Sequence, residues 1–195
     1  ELEQSQAPLS WEPVVHGDEA SALVEAAVRA GETVGVAFVE PEQVSLFSSG
    51  VIAAFCTSQG TAAFEEEEGL TVLARVVKSC PFAALDVKET LHRVYPADTA
   101  VPALVTDDDL MAMRAFDLGL AGYVLNSSVS EYSFDALLDA YCGGVLPDTK
   151  TDEERAVVCA AAARQLVEPL TQALERDGST RAYFDIDLPL VAVLS

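Results

Sequence analysis

Basic residues are scarce in this chain: 11 Lys and Arg stand against 32 Asp and Glu, giving a formal net charge of −21. That deficit argues against an ordinary nucleic-acid binder, whose affinity for a phosphate backbone comes largely from Lys and Arg displacing counterions. Alone, the domain is expected to bind DNA weakly or not at all, and the acidic surface reads first as a solubility device. Histidine is nearly missing as well, with only His16 and His92. The four cysteines, Cys56, Cys80, Cys142 and Cys159, contain no CxxC pair, so a zinc site is not expected. Neither histidine can be tied by spacing to a cysteine as the base of a nucleophile. The cysteines' apolar neighbours suggest buried, reduced thiols in a cytoplasm. Long hydrophobic runs are absent too. Half the residues are hydrophobic and mean hydropathy is +0.25, yet no run approaches the ~18 residues of a membrane span, so no membrane partner is expected. The start, Glu1-Leu-Glu-Gln, has no initiator Met, basic n-region or apolar h-region, and reads as the beginning of an excised fragment without a signal peptide.

What is present suits one domain with a real core. Residues 1–13, with Pro8 and Pro13, read as a lead-in linker. Ala20, Leu23, Val24, Ala27 and Val28 recur at helical spacing, with Asp18 as N-cap and Gly31 as stop. Three short apolar segments follow, Thr33–Val39, Gly50–Cys56 and Thr61–Phe64, and predict an antiparallel meander with a tight turn at Gln59-Gly60. The Glu65–Glu68 run predicts the N-terminal end of a helix over Leu70–Lys78 rather than a metal site, because successive carboxylates on one turn diverge. Phe82–Leu85 predicts a short buried strand and Asp86–Val94 a helix. Residues 96–109 read as a surface insertion, whose Asp107–Asp109 triplet fits a helix N-terminus better than a cation cage. Arg114–Asp117 leads into a helix through Leu125, and Ser133–Tyr141 predicts another, ended by Gly143-Gly144. The longest pattern, Asp152–Leu174, contains Pro169, which is expected to kink it or to separate two helices. Tyr183–Leu194 repeats apolar residues at Ile186, Leu190, Val193 and Leu194, and reads as a truncated helix. Strands first, helices later and a βαβ-like middle predict an α/β fold with a mixed sheet flanked by helices.

Two segments carry a resemblance. Ala115-Phe-Asp-Leu-Gly-Leu-Ala-Gly-Tyr-Val-Leu-Asn126 is similar to the "AFDTxLxxYLLN" stretch of the 3′–5′ exonuclease-type domain of bacterial DNA polymerase I. Ile186-Asp-Leu-Pro-Leu-Val-Ala-Val-Leu-Ser195 resembles the "iExPLvpVLa" helix that joins that domain to the polymerase domain. The resemblance implies a ribonuclease H-like fold over residues 14–182, with residues 183–195 beginning the helix toward a polymerase domain of the same chain. It also implies a parent DNA-directed DNA polymerase of replication and repair, which requires Mg²⁺ and meets DNA through its polymerase domain.

Active members of that family hold two divalent metals on acidic side chains at fixed addresses. Their Asp-x-Glu on the first strand matches Phe38-Val39-Glu40, so the Glu survives and its partner is Phe38. Their "NLKYD" matches Ala84-Leu-Asp-Val-Lys88, which puts Lys88 at the acidic position; Asp86 comes two residues earlier and faces another way on a helix. Their late Tyr-x-x-x-Asp falls on Cys159 and Ala163. The resemblance therefore implies a degenerate domain, with no catalytic residue and no cofactor of its own. Two other readings compete: an active exonuclease with Glu40, Asp86 and Asp117 regrouped around a metal, and an unrelated acidic DNA mimic.

Overall fold

The computed structural model describes residues 9–41, 50–95 and 115–193. Their elements run β1 (Val14–Val15), α1 (Gly17–Ala30), β2 (Val34–Val39), β3 (Ile52–Thr57), β4 (Gly60–Glu65), α2 (Glu66–Ser79), β5 (Phe82–Ala84), α3 (Val87–Val94), β6 (Ala115–Asp117), α4 (Leu118–Leu125), α5 (Phe134–Cys142) and α6 (Asp152–Asp177). A short helix α7 (Thr180–Ala182), a π-helical turn (Tyr183–Asp187) and α8 (Leu188–Val193) complete the order.

The strands form a six-stranded sheet in the order β1-β4-β3-β2-β5-β6. The meander β2-β3-β4 is antiparallel, whereas β5 joins β2, β6 joins β5 and β1 joins β4 in parallel. This is a mixed α/β architecture, as the element pattern predicts. The period of 2 along β3 divides two buried layers. Ala53 and Phe55 belong to the layer of Ala20, Val24, Leu73 and Val76 from α1 and α2, while Ala54 and Cys56 face Val157, Cys159 and Ala160 of α6.

Helix α6 lies close on the sheet because small residues meet there. A Cβ added to Gly35 in β2 would come within 2.1 Å of the Ala160 carbonyl, and the alanines 160–163 are all buried. Pro169 does not divide this helix. It runs unbroken for 26 residues, held by the buried Leu166, Leu170 and Leu174 on both sides of the proline. Such tertiary burial overrides the local breaking tendency.

Other local expectations shift in detail. His16, not Asp18, is the N-cap of α1, and Asp18 belongs to its first turn. The residues before the helix α4 are strand β6 rather than a lead-in. Within the segment read as a linker, Leu9 and Trp11 pack against the core and the Pro13 carbonyl accepts from Thr61 N at 2.9 Å. Among the described residues of the final segment, Tyr183 and Leu188 are buried, while Ile186 and Leu190 are exposed. The whole 96–109 insertion, with its Asp107–Asp109 triplet, and Leu194 lie outside the described residues. Among those described, no helix is long and apolar enough to cross a membrane.

Candidate functional site

The end of β2 and one face of α3 enclose a cavity of about 140 Å³ whose lining includes Phe38, Asp86, Glu89, Thr90, Arg93 and Cys159. Phe38 is half-buried on the last turn of the strand and meets Phe55 edge-on, with ring centroids 6.4 Å apart. Glu40 follows the strand directly. Its carboxylate is 69% exposed and accepts from Arg93 Nη2 at 3.2 Å. The same nitrogen donates to Glu89 Oε1 at 3.3 Å, a pairing set by the helical spacing of four residues. The guanidinium carbon stands 4.9 Å from the centre of the Phe38 ring, within cation–π range. Arg93 is thus the residue that organises this cleft, with its side chain only 18% exposed.

Cys159 reaches the cleft from α6. Burial pushes its thiol up to about 11, so it is a neutral thiol near pH 7 and no ready metal ligand or nucleophile. Ala163 sits one helical turn further on, fully buried in the layer with Ala83 and Leu166. Lys88 is exposed on α3 and is not among the residues lining the cavity. Of the positions marked in the sequence, the fold therefore gathers Phe38 and Cys159 at one cavity, joins Glu40 to it through Arg93, and leaves Lys88 and Ala163 apart.

The remaining acids have structural tasks. Asp86 is the N-cap of α3, accepting from Glu89 N at 2.8 Å. Asp117, at the end of β6, is 5% exposed and caps two helices at once: Oδ2 accepts from Val87 N and Oδ1 from Leu120 N, both at 2.8 Å. Burial raises its carboxyl to about 6, against the opposing pull of these backbone donors. The buried Tyr183 hydroxyl closes the same edge, accepting from Asp117 N at 2.8 Å and donating to Asp117 O at 3.0 Å. Burial, ahead of the nearby Asp117 charge, pushes that phenol well above its usual range.

No family model and no curated protein matches the sequence. Solved structures do. The POL domain of Pol1 from M. smegmatis, in complex with DNA primer-template and dNTP, aligns with 93% of this chain at a TM-score of 0.67 and 18% identity. The EXO domain of Aedes aegypti Nibbler aligns with 97% of the chain at 0.57 and 11% identity, and the catalytic core of RRP6 from Trypanosoma brucei with 92% at 0.59 and 14%. The chain has a 3′–5′ exonuclease-like fold. At these identities the likeness concerns the fold alone. The aligned region makes up 30% of the Pol1 chain, 52% of the RRP6 chain and 98% of the Nibbler chain.

Exonuclease-like folds invite a test for two divalent cations, which want several anionic oxygens in near-octahedral geometry. Among the described residues, no three His, Cys, Asp or Glu side chains are grouped so as to hold a metal ion, Glu40, Asp86 and Asp117 included. At the cleft, Glu40 and Glu89 are both engaged by one guanidinium, Asp86 is spent as the cap of α3, and the other groups are a phenyl ring and a neutral thiol. This donor set does not fit a pair of Mg²⁺ ions. Arg93 had one sequence signal, its spacing of four from Glu89; its contact with Glu40 spans 53 residues and is invisible to spacing.

Proposed function

We propose that this chain is a degenerate 3′–5′ exonuclease-like domain that does not cut DNA and serves as a structural support for a polymerase domain of the same chain, in cytoplasmic DNA replication and repair. The observation that carries the reading is the Arg93 guanidinium held by Glu40 and Glu89 over the Phe38 ring. Phosphodiester hydrolysis by the two-metal route needs cations that activate water and stabilise the leaving oxygen. Phe38 and Ala163 supply no oxygens, Lys88 brings the wrong charge, and Cys159 is a buried neutral thiol.

Support for a polymerase setting comes from the likeness to the Pol1 chain and from the C-terminal segment. There Ile186 and Leu190, 59% and 48% exposed, stand four residues apart and offer an apolar surface to whatever domain follows. DNA would be bound through the polymerase domain, whose chemistry would require Mg²⁺, while this domain's charge of −21 adds little affinity of its own.

The test is release of nucleotides from labelled single-stranded DNA by the purified chain in Mg²⁺ or Mn²⁺. The expected result is no metal-dependent release, with Glu40→Ala indistinguishable from wild type. A second reading, an active exonuclease, is favoured by the likeness to structures described as an EXO domain and a catalytic core. Metal-dependent release abolished by Glu40→Ala would establish it instead.

A further inference from the structure

We propose that Arg93 is a tethered counter-ion: a cation fixed to the protein that satisfies the cleft's carboxylates and excludes divalent ions from it. The inference rests on reading the cleft as a lost metal site and adds what replaced the metal. Two carboxylates, Asp86 and Glu89, line the cavity, and a third, Glu40, reaches it through Arg93. With Arg93 among them they are not grouped so as to hold a metal ion, but in a chain of charge −21 carboxylates this near one another draw cations.

The guanidinium meets that demand with a fixed positive charge. It is planar, permanently charged and weakly hydrated, so it can lie against the Phe38 ring at 4.9 Å while one nitrogen serves both Glu40 and Glu89. Phe38 and Arg93 therefore act together: the ring replaces an anionic ligand with a π-face, and the arginine supplies the charge that a bound ion would bring. The side chain also ties the end of β2 to α3.

The test uses Mn²⁺ alone, titrated by electron paramagnetic resonance or calorimetry against wild type, Arg93→Met, Arg93→Lys and Arg75→Met. Arg93→Met keeps the length of the stem, and folding of each variant is checked by circular dichroism; a variant of Arg93 that fails to fold is replaced by Arg93→Gln in the same comparison. Arg75→Met is the charge-matched control, because Arg75 pairs with Glu25 away from the cleft. Arg93→Met should gain one Mn²⁺ site at least tenfold tighter than any in wild type, lost again on adding Glu40→Gln, while Arg93→Lys and Arg75→Met behave as wild type. Equal Mn²⁺ binding by Arg93→Met and Arg75→Met overturns the inference and leaves the degenerate domain standing. So does a gain in Arg93→Lys as large as in Arg93→Met, since charge would then not be what excludes the ion. A Glu40-dependent Mn²⁺ site in wild type overturns both readings.

Discussion

Glu40 and Asp117 are two carboxylates of the same chain in opposite circumstances. Glu40 stands at an address where the resemblance implies a metal ligand, yet it is largely exposed and its partner is an arginine on the neighbouring helix. Asp117 belongs to the Ala115–Asn126 stretch that carries the resemblance; it is buried, holds the starts of two helices and shares its backbone groups with Tyr183. The difference teaches that burial decides what each carboxylate does: the exposed one pairs with a cation, and the buried one holds backbone donors in place. The cleft tolerates change because solvent reaches it; the β6 edge does not, because each of its polar groups would be orphaned by a substitution.

Breaking the edge should have the largest effect. Asp117→Ala removes the cap of α4 and the acceptor of Val87 N at the start of α3, leaving two N–H groups without acceptors, so chemical denaturation should report a loss of about 2–4 kcal/mol. The pH dependence sharpens the point. Because the folded carboxyl is raised to about 6 while the unfolded one keeps its ordinary value, the folded state holds this proton more tightly. Its contribution to stability is greatest below about pH 4, declines as pH rises through about 6 and is level above. The amplitude is on the order of 2–3 kcal/mol at most. Stability curves of wild type and Asp117→Ala should therefore converge as pH rises from 4 to 7; a constant gap would contradict the burial account. Tyr183→Phe, which deletes the hydroxyl between Asp117 N and O, should cost about 1–2 kcal/mol in the same denaturation. Glu40→Ala comes last. An exposed ion pair contributes roughly 0–1 kcal/mol, so its melting temperature should stay within about 3 °C of wild type.

Much of the fold is legible in the sequence because its signals are local. The meander follows from three short apolar segments bounded by turn residues and from Gly60, which sits at a φ of 145° in the tight turn and leaves no room for a side chain beside Pro13. Gly143, at a φ of 62°, ends α5 as the Gly-Gly pair predicts. Where the reading fails, a non-local force decides. Pro169 does not separate two helices, because leucines buried on either side of it carry α6 through. Strand β6 is three residues long and exists only because β5 lies beside it, with Ala83 opposite Phe116. The site divides the same way. The resemblance points to Phe38, Glu40 and Cys159 one residue at a time, but the arginine that joins Phe38 to Glu40 comes from a helix separated from β2 by three strands and a helix of sequence.

Anomalous diffraction from crystals soaked in Mn²⁺ tests the central claim most directly. The account predicts no anomalous peak between Glu40, Glu89 and Cys159, with Arg93 still seated over Phe38. One or more peaks within coordination distance of Glu40, with Arg93 swung away, would contradict it.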